Sequence, residues 1–290
     1  MDGMSATGGH GGPVRRRPLD EAALRAALTG GRTLWSAVRV VAETGSTNAD
    51  ALAAARDGAA EGLVIAAEAQ AAGRGRLGRG WQSLPGGSLT FSVLLRPAAV
   101  PAGVRGWVPL LTGVAVARAV REVTGVDARL KWPNDVLAGP GAGDRAGDGV
   151  SGKLAGILAE QSGDAIVVGV GLNVLGTAAD LPVVTATSLE LLGAGQADRT
   201  ALLAEILAEI ERWYLRWRDT AAGDAVASGL RQEYLRLSAT VGARVRVLLP
   251  GAPDLVGVAV AVDETGRLIV RPDGQADPVQ VSAGDVIHVR

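Results

Sequence analysis

A run of arginine and glycine occupies residues 73–81, with the sequence Gly-Arg-Gly-Arg-Leu-Gly-Arg-Gly-Trp. Glycines let backbone N–H groups approach a ligand closely, and guanidinium forks contact carboxylates and phosphates at two points. The run shows neither helical nor strand periodicity, so we predict a loop whose arginines converge on one anion. The alternatives are a solvated surface loop and a nucleic-acid-binding segment, although three charges give little affinity for nucleic acid.

Lysine is rare in this chain. Of the 29 basic residues only Lys131 and Lys153 are lysines, which marks them as sites that need a compact ammonium group rather than a planar guanidinium. Chance in an arginine-biased composition is the alternative. Lys131 opens the run Lys-Trp-Pro-Asn-Asp at the end of a predicted strand. Asn134 is a candidate to contact a base edge or a phosphate, and Asp135 is a candidate to bind Mg²⁺. Asn-Asp is, however, also a common turn sequence.

Two glycine motifs are incomplete. Residues 147–153 nearly match a phosphate-binding P-loop, but Leu154 stands where Ser or Thr would meet Mg²⁺. We therefore exclude a P-loop and assign Lys153 to the start of a strand. The run 169–174 has two of the three glycines of a dinucleotide fingerprint, which is a weak match. Asn173 within it is suited to a base or sugar contact, or to starting a turn.

Composition excludes several kinds of chemistry. The chain has no cysteine and only two histidines, His10 and His288, both near its ends, so thiolate or imidazole catalysis in the body of the chain is excluded. The net charge of −1 does not suit an electrostatic nucleic-acid binder. The sequence has no long apolar run and no secretory signal, so we expect no membrane segment and a cytoplasmic protein.

The remaining pattern predicts the elements that position these residues. Helices are predicted at 18–28, 49–56, 107–123, 199–218 and 224–237, and strands at 38–42, 63–67, 88–95, 129–131, 153–161 and 165–174. Because βαβ alternation is not regular, this indicates an α+β fold with a mixed or antiparallel sheet packed with helices. Short strand-like runs near the C-terminus predict a small β-barrel. We expect a disordered tail at 1–17, a main domain at 18–238 and a small domain at 239–290.

Five motifs, taken in order, resemble those of the biotin protein ligases. They are Ser46-Thr47-Asn48, the loop 73–81, Lys131-Trp132-Pro133-Asn134-Asp135, the strand 152–160 and the run 169–174. The resemblance implies a class II synthetase-like catalytic domain. It also implies that the carboxylate of biotin attacks the α-phosphorus of ATP, with Mg²⁺ present, to give biotinyl-5′-AMP. A lysine of a biotin carboxyl carrier protein would then take the biotinyl group.

The resemblance also implies roles for individual residues. The implied catalytic residues are Lys153 and Arg76. The residues implied in biotin binding are Ser46, Thr47, Asn48, Gln70, Arg74, Gly75, Arg76 and Lys153. Those implied in ATP binding are Arg76, Arg79, Trp81, Lys131, Asn134, Asp135 and Asn173, with Asp135 also the candidate Mg²⁺ ligand. From the residues alone, the Ser-Thr-Asn motif is equally suited to capping the helix that follows it.

Departures from the family pattern bear on the partners. The segment between Asp135 and Lys153 is longer than the usual hairpin of the family, and Leu77 and Gly80 stand where basic residues are frequent. Too few residues precede the first motif for the winged-helix domain of some members, so we expect no operator binding.

The expected partner is the carrier domain of an acyl-CoA carboxylase, and a homodimer is left open. The alternative functions are a lipoate ligase or transferase of the same fold and a non-catalytic binding module.

Overall fold

The structure is a computed structural model that describes residues 16–31, 33–139, 151–249 and 251–289. Most of the tail expected at 1–17, and most of the P-loop-like run, lie outside these residues. The described helices are α1 (Glu21–Leu28), α2 (Thr47–Arg56), α3 (Trp107–Thr124), α4 (Arg199–Arg218) and α5 (Leu230–Leu237). The described strands are β1 (Ala37–Thr44), β2 (Leu63–Gln70), β3 (Ser88–Leu95), β4 (Arg129–Lys131), β5 (Asp135–Ala138), β6 (Gly152–Ser162), β7 (Ala165–Asn173), β8 (Arg244–Leu248), β9 (Leu255–Val262), β10 (Leu268–Pro272), β11 (Val279–Val281) and β12 (Asp285–His288).

Seven strands form one mixed sheet in the order β1-β2-β3-β7-β6-β5-β4. Strands β1 and β2 are parallel and are joined through α2, whereas the other neighbours are antiparallel. One face of the sheet is covered by α3 and α4, whose apolar side chains join the main core. On the opposite face α2 covers only part of the sheet, where Ala51 and Leu52 pack with Leu94 of β3. The uncovered part of that face holds the candidate site.

Local sequence explains where the main helices begin and end. Asp198 caps α4 by accepting hydrogen bonds from the backbone N–H groups of Thr200 and Ala201. The helix then buries Leu202, Ile206 and related positions at helical spacing. Helix α3 ends at Gly125, whose φ of 72° is the left-handed conformation that glycine adopts without steric cost.

Two elements differ from the sequence-based prediction. The helix predicted at 224–237 begins only at Leu230, so its first half is wrong. The Asp224 side chain accepts hydrogen bonds from the N–H groups of Val226 and Ala227, which makes a turn there, and Gly229 has a φ of 75°. Strand β5 is not predicted, because it is only four residues long and begins at the last residue of a turn sequence.

The C-terminal strands form a second, antiparallel sheet in the order β11-β10-β9-β8-β12. Two tryptophans of the first domain anchor it. The indole N–H of Trp107 donates to the carbonyl of Glu264 at 2.8 Å, and that of Trp132 donates to Gly266 at 3.0 Å. Apolar residues such as Val245 belong to the same core as the large sheet. The α+β class with a small C-terminal β domain is therefore confirmed.

The free edge of β1 is covered by side chains of α1. Glu21 Oε2 accepts the backbone N–H of Val40 at 2.7 Å, and Arg25 Nε donates to the carbonyl of Val38 at 3.1 Å. These two backbone groups point away from β2, so they would otherwise be open to another strand. Among the described helices, none is long and apolar enough to cross a membrane.

Candidate active site

Four cross-strand neighbours form the centre of the uncovered sheet face. Thr90 of β3 lies opposite Gly171 of β7, which lies opposite Gly156 of β6, which in turn lies opposite Asp135 of β5. Directly opposed residues of antiparallel strands project to the same face, so these four positions make one line across the sheet. We call this line the floor row. At the strand spacing of about 4.8 Å, Thr90 and Asp135 are on the order of 14 Å apart.

The indole of Trp81 lies on the two glycines of the floor row. A Cβ atom added to Gly171 would lie 2.1 Å from Trp81 Cε2, and one added to Gly156 would lie 3.2 Å from Trp81 Cζ3. A larger side chain at position 171 would therefore displace the ring. Lys153 Nζ lies 5.9 Å from the ring centroid, within the range of a cation–π contact. The indole thus divides the floor row into a Thr90 side and an Asp135 side.

The N-terminus of α2 borders the Thr90 side. Ser46 caps the helix by accepting the N–H of Ala49. Both the N–H and the hydroxyl of Thr47 donate to Gln70 Oε1, at 2.8 and 3.0 Å, and Ser92 Oγ lies 2.8 Å from Thr47 Oγ1. The carbonyl oxygen of Gln70 is therefore occupied, which leaves its amide NH₂ group for a ligand.

Asn48 is held entirely by the protein. Its Oδ1 accepts from Ser92 at 2.6 Å, and its Nδ2 donates to the carbonyl of Leu158 at 3.2 Å and to Glu160 at 2.8 Å. A Cβ atom on Gly169 would lie 2.1 Å from Asn48 Oδ1, so this arrangement requires glycine there. The contacts tie the start of α2 to strand β6, which fixes Thr47 beside the floor row.

The two lysines meet at the Asp135 end. Lys153 Nζ lies 2.6 Å from Asp135 Oδ1, and Lys131 Nζ lies 4.0 Å from Asp135 Oδ2. Burial lowers the pKa of Lys131; Asp135 opposes this effect and Lys153 adds to it. Both backbone groups of Lys153 bond to one neighbouring segment, since its N–H donates to Thr185 and its carbonyl accepts from Thr187. The carboxylate of Asp135 is thus shared by the ammonium groups of Lys131 and Lys153.

The arginine–glycine loop closes over this face. The N–H of Trp81 donates to Gly73 at 2.9 Å and that of Gly75 donates to Arg79 at 2.6 Å, so the loop folds back on itself. At its tip Leu77 has a φ of 56° and is exposed. A cleft of about 570 Å³ lies beside the loop and is also lined by Leu158 and Glu160.

Two loop arginines reach other parts of the chain. Arg76 Nη1 donates to Asn134 Oδ1 at 3.1 Å and to the carbonyl of Gly284 at 3.4 Å. Burial lowers the pKa of Arg76, with Asp285 opposing the effect, but guanidinium keeps its charge. Arg79 pairs with Asp285 of the second domain. The loop, the Lys-Trp-Pro-Asn-Asp turn and the second sheet are therefore joined at one place.

The carboxylates present do not form a ready metal cage. Within the described ranges, no group of three or more His, Cys, Asp or Glu residues is placed to hold an ion. Mg²⁺ commonly binds through one or two carboxylates together with substrate phosphates. Asp135 suits that mode, but Lys153 already contacts one of its oxygens.

Comparison with known proteins identifies the family. The model of the "Biotin/lipoate A/B protein ligase family" matches residues 43–174, and that of the "Biotin protein ligase C terminal domain" matches residues 240–289. The chain is 43% identical over 279 residues to the "Biotin--[acetyl-CoA-carboxylase] ligase" of Mycobacterium tuberculosis, with 95% of this chain and 97% of that protein covered. The chain belongs to the biotin protein ligase family.

Other members of the biotin protein ligase family match over most of their length. The "Biotin--[acetyl-CoA-carboxylase] ligase" of Paracoccus denitrificans is 31% identical over 256 residues, with 85% of this chain and 98% of that protein covered. A solved biotin protein ligase of Aquifex aeolicus, in complex with biotin and ATP, superposes with a TM-score of 0.71 at 25% identity. That match covers 88% of this chain and all of the other.

The family motifs predicted from the sequence converge in space. Ser46, Thr47 and Gln70 lie at the Thr90 side, and the Lys-Trp-Pro-Asn-Asp turn lies with Lys153 at the Asp135 side. Between them lies Trp81. Asn173 is buried and donates from Nδ2 to the carbonyl of Thr187 at 3.0 Å. Both polar groups of Asn134 are engaged inside the protein, by Arg76 and by the carbonyl of Ile157.

Sequence reasoning gave no role to Thr90 and Ser92, which line the same face, or to Asp285, which pairs with Arg79 of the loop. One signal for two of them is present in the sequence, because β3 is fully buried yet carries a polar residue at every second position, Ser88, Thr90 and Ser92. A polar face on a buried strand indicates a site rather than a core.

Proposed function

We propose that this protein forms biotinyl-5′-AMP from biotin and ATP and transfers the biotinyl group to a lysine of a biotin carboxyl carrier domain. The observation that carries the proposal is the division of one sheet face by Trp81. A hydrogen-bonding compartment around Thr47 and Gln70 lies on one side, and a cationic compartment around Lys131 and Lys153 lies on the other. A polar ring system with a carboxylate tail, joined to a nucleotide, matches this layout.

The first step joins the carboxylate of biotin to the α-phosphorus of ATP. A carboxylate oxygen forms the new P–O bond while the bond to pyrophosphate breaks, and negative charge develops on the phosphoryl oxygens. Cationic groups fixed in advance stabilise that charge, so Lys153 and Arg76 are the proposed catalytic residues. Arg74, Gly75 and Arg79 belong to the loop that would order around the mixed anhydride. Mg²⁺, when bound with the nucleotide, would neutralise phosphate charge near Asp135.

The second step transfers the acyl group. The amine of the carrier lysine attacks the carbonyl carbon of biotinyl-5′-AMP, the C–O bond to AMP breaks, and an amide forms as the amine loses a proton. Positioning supplies much of the rate in such a transfer. The rigid sheet floor and the loop that folds over it provide that positioning.

ATP-dependent labelling of purified carrier domains tests the proposal. Biotin is offered with a biotin carboxyl carrier domain, and lipoate with a lipoyl domain in parallel. Transfer of biotin alone, read by streptavidin blot, is the expected result. Transfer of lipoate alone would keep the fold and overturn the substrate. If neither is transferred, the protein is a binding module rather than a ligase.

A further inference from the structure

The hydroxyl of Thr90 is buried without a partner. Thr90 is 3% exposed, and its Oγ1 has no hydrogen-bond partner among the described residues. A buried hydroxyl without a hydrogen bond destabilises a protein by about 1–3 kcal/mol. The other two polar residues on this face of β3 have partners, since Ser88 accepts from Leu84, and Ser92 donates to Asn48 and lies in hydrogen-bond contact with the Thr47 hydroxyl. Thr90 is therefore the exception within its own strand.

The position of Thr90 is fixed by register. It lies directly opposite Gly171, and a side chain on Gly171 would run into the Trp81 indole. Because opposed residues share a face, Thr90 also projects toward the space beside that indole. It lies two residues from Ser92, whose hydroxyl contacts Thr47. Thr90 thus lies between the residues that hold Gln70 in place and the indole.

A second unpaired polar atom borders the same glycine. Trp81 Nε1 is buried and has no hydrogen-bond partner within the described part of the chain. A Cβ atom on Gly171 would lie 2.4 Å from this nitrogen. Buried indole N–H groups usually have an acceptor. Two unsatisfied groups at one floor position, a hydroxyl and an N–H donor, point to a polar ligand atom at that place.

We propose that Thr90 contacts the substrate, its hydroxyl forming a hydrogen bond with a polar ring atom of bound biotin beside Trp81. The inference rests on the proposed function and adds a specificity residue to it. A saturated hydrocarbon chain offers no partner to this hydroxyl, whereas a heteroatom-containing bicycle does. Loss of a hydrogen bond to a buried group discriminates strongly, because the protein atom is left unpaired with the wrong ligand.

A role of the Thr90 hydroxyl in ligand binding can be distinguished from a role in folding by the melting temperature. If the hydroxyl serves only the ligand, Thr90→Val removes an unpaired polar atom from the ligand-free protein and does not lower its Tm. We expect the Tm to stay constant or rise by about 2 °C. The matched control is Thr112→Val in α3, on the other side of the sheet. The hydroxyl of Thr112 is fully buried and donates to the carbonyl of Val108 at 2.9 Å, so its loss removes an existing hydrogen bond.

Calorimetric titration of the full chain with biotin decides the matter. Thr90→Val should weaken biotin binding about 10-fold or more, which corresponds to about 1.4 kcal/mol. Thr90→Ser, which keeps the hydroxyl, should stay within about 3-fold of the wild type. Thr112→Val should bind biotin as the wild type does.

Three results would overturn the inference while the wild type still binds biotin. Thr90→Val could bind biotin normally, it could lower the Tm as Thr112→Val does, or Thr90→Ser could lose as much affinity as Thr90→Val. The last result would show that the methyl group matters rather than the hydroxyl. If the wild type itself binds no biotin, the proposed function fails instead, so the two failures are distinct.

Discussion

Arg79 on the arginine–glycine loop and Asp285 at the start of β12 form a bridge between the two domains. Arg79 Nη2 lies 2.8 and 2.7 Å from the two carboxylate oxygens of Asp285. Arg76 adds a weaker contact at 3.8 Å to the same carboxylate. The small C-terminal sheet therefore supplies an anionic anchor for a cationic loop. Phosphate groups of a nucleotide would compete with that anchor for the same arginines.

Removal of the anchor should loosen the loop. The Arg79 side chain is 60% exposed, and exposed ion pairs contribute up to about 1 kcal/mol. Asp285→Asn should therefore raise the rate of tryptic cleavage after the loop arginines about 2- to 5-fold. Asp277→Asn, an equal charge change at an exposed site in the same domain, is the control. Equal cleavage rates in both variants would show that Asp285 does not restrain the loop.

Lys153→Arg should fold but lose adenylation. The ammonium group contacts Asp135 at 2.6 Å beside the indole, and a larger, planar guanidinium does not reproduce this point charge. We expect biotin-dependent exchange of pyrophosphate into ATP to fall at least about 100-fold, with a Tm within about 2 °C of the wild type. Exchange at the wild-type rate would remove Lys153 from the catalytic residues.

Gly171→Ala should displace Trp81. The added methyl group would lie 2.1 Å from the ring, and contacts under about 3 Å force a shift. Since the indole separates the two compartments, the KM for ATP should rise about 10-fold or more. Gly103→Ala is the control, because nothing lies within 4 Å of a Cβ atom there. Unchanged kinetics in Gly171→Ala would mean that the position of the Trp81 ring does not depend on a glycine at position 171.

Protonation of His288 should destabilise the fold in mild acid. Burial, helped by the nearby Lys131, lowers the pKa of His288 to about 4 from an ordinary value of 6.5. Between these values the unfolded chain binds a proton that the folded chain does not, so stability falls as the pH drops from 6.5 toward 4. His288→Gln should reduce this loss by about 1–3 kcal/mol in urea titrations across that range. Parallel pH profiles in both proteins would contradict the assignment.

Elements with a strong local pattern were predicted well. Strand β3 and helix α4 match their predicted bounds, because the apolar pattern of each, and the Asp198 cap next to α4, are local in sequence. The first half of the helix predicted before Leu230 was wrong, because the Asp224 turn competes with helix there. Helical propensity alone does not weigh such side-chain-to-backbone bonds.

The candidate site was only partly visible in the sequence. Residue types alone singled out Lys153 and the arginine loop, and the structure places them at one face. The place of Thr90 in the site depends on the register of three strands that are distant in sequence. Asp285 belongs to another domain. Such juxtapositions arise from tertiary pairing, which no local pattern encodes.

The side chains of α1 that cover the edge of β1 affect how copies of this chain can associate. A neighbouring molecule that added its own strand at β1 would first have to break the bonds from Glu21 to Val40 and from Arg25 to Val38. Those bonds join a helix and a strand of the same chain, so an incoming strand would have to compete with partners that are already in place. This covering disfavours strand addition at β1 as a way for two copies of the chain to pair.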